Sequence, residues 1–312
     1  MSIDWIAFVA NSIKMATPLI FAALAALITR NAGLFNMCIE GMILFSALGA
    51  VTSAHYLGNV WAGLAGGILT GVLTGLIIAF ANLSGKTDLY LTCIAFNLAA
   101  TGGTVFLMYL MTGEKSTTSA AFRAYQIPNI DIPLIKDIPV IGRIISGQNL
   151  LTYVALLSVW AVWFLLKKTR IGLRIRSVGE NPKAAESVGI SVTKIGYVAF
   201  TLCGIFAGLA GTFLSMAWVS FFMKGMSNGR GYIGLSAQNM ANGSPVGSAF
   251  ASLLFGASDS LATSLKSQTG FPTEFLEMIP YLATVLAIVI TSILSIAKRR
   301  RIEKGIEKAS NN

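Results

Sequence analysis

Arg170-Ile171-Gly172-Leu173-Arg174-Ile175-Arg176-Ser177-Val178-Gly179-Glu180-Asn181-Pro182-Lys183-Ala184-Ala185-Glu186-Ser187-Val188-Gly189-Ile190 is a polar, basic island between two apolar runs, 149–166 and 195–218. Runs of about 20 apolar residues are what a hydrocarbon core of about 30 Å requires. Lys167, Lys168 and Lys194 add to the island's positive charge, and basic loops between spans stay on the cytoplasmic side. Inside it, Asn181 can cap a helix, Pro182 suits the first helical position, and Gly189 can take the left-handed conformation that ends one. The spacing predicts a helix of about seven residues, too short to be stable alone in water. It must dock. Ala184, Ala185 and Val188 offer a small, mild face suited to a groove on another protein, or else the helix folds back on its own membrane domain.

The rest of the chain fits that frame. Of 312 residues, 54% are hydrophobic and 12% charged, about half the charge that a water-facing fold carries, and mean hydropathy is +0.71. The fold class read from this is all-α, a polytopic bundle forming a single transmembrane domain over 1–312. Apolar runs fall at 5–29, 35–54, 59–83, 88–112, 149–166, 195–218, 246–265 and 277–297, with a shorter piece near 231–242, giving eight to nine membrane segments. No basic leader precedes the first run, so it reads as retained. The central loop 167–194 and the basic tail 298–312, with Lys298, Arg299, Arg300, Arg301, Lys304 and Lys308, both belong in the cytoplasm. The stretch 113–148 is then extracytoplasmic. Its apolar, proline-containing sequence, Ile127-Pro128-Asn129-Ile130-Asp131-Ile132-Pro133 and Ile138-Pro139-Val140-Ile141-Gly142, is expected to lie ordered against the membrane domain.

A cytoplasmic tail needs an even number of crossings after the central loop, but only three full runs follow it. Either the piece near 231–242 crosses as a broken helix, or one of the runs is misassigned and the piece is a surface loop brushing the membrane. As a crossing, its length of about 12 residues reaches only about 18 Å, so its backbone ends must find partners inside the protein. Discontinuous helices of this kind lie in transport paths.

Several chemistries are excluded by context. Gly229-Arg230-Gly231-Tyr232-Ile233-Gly234 matches a dinucleotide fingerprint without the βαβ unit that gives it meaning. Gly85-Lys86-Thr87 resembles the end of a phosphate loop, but Phe80 stands where its first glycine is needed. The single histidine, His55, reads as a solvated residue of a short turn, and no metal or nucleophile constellation accompanies it. Cys38, Cys93 and Cys203 lie in apolar stretches and read as small core residues. The net charge of +10 is concentrated in two loops rather than on a face, so no nucleic-acid partner is implied. The chain is not read as an enzyme.

Packing and buried charge leave clearer marks. Gly63, Gly67, Gly71 and Gly75 share one helix face, and Gly204, Gly208 and Gly211 make a second strip; small residues at that spacing let membrane helices approach closely. Lys14, Glu40 and Asp259 are ionisable residues within the membrane, where each must point inward or, for Lys14, snorkel. Glu40 has either a structural or a substrate role.

These residues resemble a known family. Gly179 to Ile190 is similar to the coupling segment of permease subunits of bacterial ATP-binding-cassette importers, in the branch serving ribose, other simple sugars, nucleosides and branched-chain amino acids. Asn36-Met37-Cys38-Ile39-Glu40-Gly41-Met42 resembles that family's Asn-x-x-x-Glu-Gly-Met element, Gly204 to Gly211 its glycine-rich helix, and Gly229 to Leu235 the Gly-Arg-Gly-Tyr-Ile-x-Leu element of nucleoside-type members. The resemblance implies a type II importer-like bundle in the bacterial inner membrane. It further implies a cytoplasmic ATPase carrying ATP and Mg, a second permease subunit (a related chain or a second copy) and an extracytoplasmic substrate-binding lipoprotein. This chain binds no cofactor or metal itself, and lipid surrounds it. The expected ATPase contacts are Gly179, Glu180, Asn181, Pro182, Ala184, Ala185 and Gly189. The expected substrate pathway includes Asn36, Glu40, Asn97, Gln238 and Asn239; the amides at the broken helix either meet cargo or satisfy loose backbone. Nucleosides are the first cargo expected, then simple sugars, then riboflavin-like or amino-acid cargo. An ion-coupled secondary transporter would instead need carboxylates on discontinuous helices in two related halves, and no such repeat is visible.

Overall fold

The first apolar run forms α1 (Trp5–Asn31), and its most apolar stretch is 89% buried. A computed structural model describes residues 5–123, 125–131, 142, 144, 146–268, 275, 278–286, 289 and 293. The tail 298–312 and most of 132–145 lie outside the described residues. After α1 come α2 (Ile39–Leu57), α3 (Val60–Ala79) continuing as a π turn over Phe80–Ser84, and α4 (Leu89–Thr112). Then follow α5 (Leu150–Lys168), α6 (Arg170–Glu180), α7 (Pro182–Ser187), α8 (Val192–Thr212) with a π turn at Phe213–Trp218, α9 (Arg230–Met240) and α10 (Pro245–Gln268). Residues 278–286 are helical as well. The described residues are otherwise irregular, apart from isolated bridge pairing and a two-residue antiparallel ladder joining β1 (Asn129–Ile130) to β2 (Gln148–Asn149).

Five of the described helical segments are long and apolar enough to cross a membrane: α1, α3 with its π turn, α4, α5, and α8 with its π turn. Two more of the expected runs, α2 and α10, are helical but richer in polar groups. They bury Ser46, Ser248, Ser252 and Ser260 within the bundle. The last three hydroxyls donate back to a carbonyl: Ser248 and Ser252 to the one four residues earlier, Ser260 to Phe8 of α1 at 3.3 Å. That is how such side chains are tolerated where water is absent.

The two glycine strips face each other. α3 and α8 pack closely, and a Cβ on Gly71 would overlap the Gly204 carbonyl and stand 2.8 Å from the Gly208 nitrogen. One turn along, a Cβ on Gly75 would stand 2.6 Å from the Phe200 carbonyl; in the other direction Gly67 faces Thr212 and Gly63 faces Met216. Residue numbers fall on one helix as they rise on the other, so the pair is antiparallel. Gly211 completes a three-helix junction, because a Cβ there would stand 2.7 Å from the Ala47 nitrogen of α2.

α1 is the central post. It packs against α5, α8, α9 and α10, with Phe21 stacked on Phe206 and Thr17 hydrogen-bonded to Thr152 at 3.2 Å. α4 lies at the periphery, with only 22% of its apolar window buried and Leu91, Leu98 and Leu110 exposed.

Three expectations are corrected. Cys38 and Cys93 are bonded to each other as a disulfide, while Cys203 is a free, buried thiol. His55 lies in the last turn of α2, stacked on Phe122 with 4.5 Å between ring centroids and accepting from the Arg123 amide at 3.0 Å. The central loop holds more than one short helix: α6 adds three turns, burying Gly172, Ile175 and Val178.

Candidate functional site

Two helices begin inside the bundle. After α1 the chain turns back through residues 32–38, and Asn36 on that return is 1% exposed. Its amide nitrogen donates to Cys203 Sγ at 3.3 Å and its oxygen accepts from the Cys38 amide at 2.9 Å. Cys203 lies roughly 16 Å into α8 at 1.5 Å rise per residue, so α2 starts at depth. Asn97 of α4 secures the same start: its oxygen accepts from the Gly41 amide at 3.0 Å and its nitrogen donates to the Met37 carbonyl at 3.0 Å.

The second internal start is α9. Residues 219–229 run back from the end of α8 with Ser220, Gly225, Asn228 and Gly229 all at positive φ. This irregular backbone is tied down by its neighbours. Thr118 donates its amide to the Phe222 carbonyl at 2.9 Å and accepts from the Phe222 amide at 3.0 Å through its hydroxyl. Lys224 donates to the Ser116 carbonyl at 2.9 Å, and the Tyr281 hydroxyl donates to the Asn228 carbonyl at 3.0 Å.

Glu40 joins the two starts. Its Oε1 accepts from the Gly229 amide at 2.8 Å and its Oε2 from the Gly231 amide at 2.7 Å. Gly229 has no side chain to cap α9, so a carboxylate from α2 fills the positive end of the helix. Glycine is required at Gly231, where a Cβ would stand 2.6 Å from the Glu40 nitrogen. The apparent dinucleotide fingerprint is thus a helix start whose anion belongs to the protein.

At 11 residues, α9 spans about 16 Å, half of a hydrocarbon core. Its far end meets Arg30, the last basic residue of α1, whose guanidinium donates to the Asn239 side-chain oxygen. Gln238 is fully buried, and neither atom of its amide has a hydrogen-bond partner among the described residues.

Beside the start of α9 lie two cavities, of about 120 and 230 Å³, that share Trp218, Asn228 and Arg230 in their walls. Arg230 pairs with Asp259 of α10 at 3.2 Å, their side chains 16% and 25% exposed. Trp218, the last residue of the α8 π turn, has the Arg230 guanidinium 5.9 Å and the Lys14 ammonium 5.3 Å from its ring centre. Lys14 therefore turns into the bundle rather than out to an interface. Asp259 points inward, as its cost in a membrane demands.

The segment expected to meet the ATPase is built by its caps. Asn181 ends α6 by donating to the Ser177 carbonyl at 3.1 Å, and starts α7 by accepting from the Ala184 amide at 3.1 Å. Pro182 opens α7, and Gly189 follows it at φ +81°. Ala185 is buried, whereas Glu180, Ala184 and Val188 are exposed. The mild face inferred from sequence is therefore split: Ala185 docks on its own chain, and Ala184 and Val188 remain open. Gly179 carries the segment onto α1, where a Cβ would overlap the Asn31 carbonyl and stand 2.9 Å from the Gly33 nitrogen.

Of the expected pathway residues, Asn36, Glu40 and Asn97 are gathered at the two helix starts, while Gln238 and Asn239 lie at the other end of α9. Sequence reasoning did not single out Trp218, Asn228, Arg230 and Tyr232 as site residues. Tyr232 has a partial signal, since its hydroxyl accepts from Asn97 at 2.9 Å and its position lies in the quoted Gly-Arg-Gly-Tyr element.

A family model described as the branched-chain amino acid transport system permease component matches residues 8–290. The chain is 32% identical over 283 residues to the guanosine ABC transporter permease protein NupQ of Bacillus subtilis, covering 88% of each. It is 32% identical over 292 residues to the nucleoside ABC transporter permease protein NupC of Lactococcus lactis, covering 90% of each. To the putative glucose ABC transporter permease protein TsgC13 of Haloferax volcanii it is 33% identical over 258 residues, 83% of this chain and 77% of that one. No solved structure matches the chain. With its apolar helices packed around two internal helix starts, and with that match across most of its length, the chain belongs to the ABC transporter permease family, as a non-catalytic multi-pass membrane subunit of an importer.

Proposed function

We propose that this subunit forms half of the path by which an ABC importer carries nucleosides into the bacterial cytoplasm, by alternating access driven by ATP hydrolysed with Mg on separate subunits. This chain binds no cofactor. The reading places eight to nine segments in the inner membrane in a type II importer-like arrangement, with 167–194 and 298–312 cytoplasmic and 113–148 outside. A second permease subunit, related or identical, completes the path. A substrate-binding lipoprotein delivers cargo to the outer face.

The observation that carries the proposal is α9. It is a half-helix held by Glu40 at one end and by Arg30 at the other, and the α1–α2 turn just past Arg30 is where Gly179 of the coupling segment presses. A push on α6 and α7 is thereby delivered to the element that walls the cavities. Nucleoside cargo is supported by NupQ and NupC; the likeness to TsgC13 keeps simple sugars as the second choice. The test is reconstitution of the chain with its ATPase, companion permease and binding protein in liposomes. ATP-dependent uptake of labelled nucleoside is expected, and uptake driven by an ion gradient without ATP would overturn the proposal.

The split face of α7 gives a sharper expectation. Ala184→Arg, at an exposed position, leaves folding intact but lowers nucleoside uptake at least tenfold while ATPase turnover persists. Ala185→Arg forces a charge into a buried position, which costs several kcal/mol, and lowers the yield of folded protein instead. Uptake and yield measured together distinguish the two; equal behaviour of both variants would refute the assignment of Ala184 to the ATPase contact.

A further inference from the structure

The cavities beside α9 hold a charged pair with unused hydrogen-bonding capacity. Arg230 spends Nη2 on Asp259 Oδ2, and among the described residues no hydrogen bond is made by Asp259 Oδ1 or by the remaining guanidinium nitrogens. Both side chains line a cavity whose wall includes the Trp218 indole. Both side chains are partly exposed to that cavity, so the remaining guanidinium donors and the second carboxylate oxygen are open to a polar solute that enters it beside the indole.

We propose that Trp218, Arg230 and Asp259 form the cargo subsite and read the edge of a guanine base. This rests on the nucleoside reading given above. Guanine presents an acceptor, O6, next to two donors, N1–H and the 2-amino group. The free guanidinium hydrogens meet O6, the carboxylate accepts from N1–H and the 2-amino group side by side, and the base packs against the indole in the cavity wall. Charged side chains that present two hydrogen bonds at once to a base edge are what discriminate bases elsewhere. Inosine lacks the 2-amino group and leaves half of the carboxylate unused. Glucose offers no planar face.

The test uses the complete importer in liposomes, with guanosine or inosine each presented on saturating binding protein. Asp259→Asn keeps the shape and a bond to Arg230 but loses the charge; hydrogen bonds to a charged group lost in this way reduce affinity by about tenfold or more. Guanosine uptake is expected to fall about tenfold and inosine uptake clearly less, so the preference between them collapses. The charge swap Arg230→Asp with Asp259→Arg preserves the ion pair and is expected to fold with an unchanged melting temperature yet to stay inactive on guanosine. Restored guanosine uptake in the swap, or equal losses on both nucleosides in Asp259→Asn, would assign the pair to structure alone and overturn the subsite. A wild-type importer that moves glucose and no nucleoside overturns the nucleoside reading, and the subsite with it.

Discussion

Replacing Gly71 with leucine is expected to leave almost no assembled protein in the membrane. The hydrogen it removes is the spacer between two backbones: a Cβ at that point would overlap the Gly204 carbonyl and crowd the Gly208 nitrogen. Overpacking a core that can still adjust costs about 1–3 kcal/mol. Here the opposing atoms are peptide groups in the middle of α8, which cannot swing aside as a side chain can. Because α2 joins the same junction through Gly211, the damage spreads to three helices. Lipid supplies no hydrophobic force to hold separated helices together. Gly102 is the control, as a Cβ there meets nothing within 4 Å. Monodisperse yield after detergent extraction reads the difference, and a normal yield from Gly71→Leu would show that the seam does not hold the bundle.

Glu40→Ala is expected to abolish transport. The carboxylate satisfies the Gly229 and Gly231 amides, and each buried donor left without a partner costs about 1–3 kcal/mol. The favourable interaction of the charge with the helix end adds about 0.3–2 kcal/mol. The loss falls on the start of α9 and leaves the seam between α3 and α8 untouched, so the protein still inserts but α9 frays. Glu40→Gln keeps one acceptor oxygen and is expected to retain a fraction of the activity. Uptake in liposomes, alongside hydrogen exchange at residues 228–233, tests this; unaltered exchange in Glu40→Ala would mean that other contacts hold the helix start.

What the sequence disclosed follows from the range of each signal. The α7 caps are legible because Asn181, Pro182 and Gly189 act on their immediate neighbours. Both glycine strips are legible as close-packing faces, but nothing in a four-residue period says which helix it meets. A short helix near 231–242 was legible from its apolar composition, and α9 covers 230–240. Its capping by Glu40 was not, because the two partners lie 189 and 191 residues apart. α2 begins at Ile39 instead of 35 because Asn36 diverts its amide to Cys203 and its oxygen to the Cys38 amide. The Cys38–Cys93 bond depends on which faces of α2 and α4 meet, which composition cannot reveal. Trp218 was not singled out because its role arises from a π turn, which leaves no periodic mark, and Arg230, though within the Gly-Arg-Gly-Tyr element, gave no sign of its partner Asp259, 29 residues on.

The burial of α1 has a consequence for biosynthesis. It leaves the ribosome well before the helices that enclose it: α8 begins roughly 160 residues after α1 ends, with α9 and α10 later still, an interval of at least about 10–30 s at 5–20 residues per second. Throughout that wait Thr17 has no Thr152 to meet until α5 arrives, and Lys14 has no Trp218. The nascent chain thus carries its future centre without its native neighbours until the second half of the polypeptide is made.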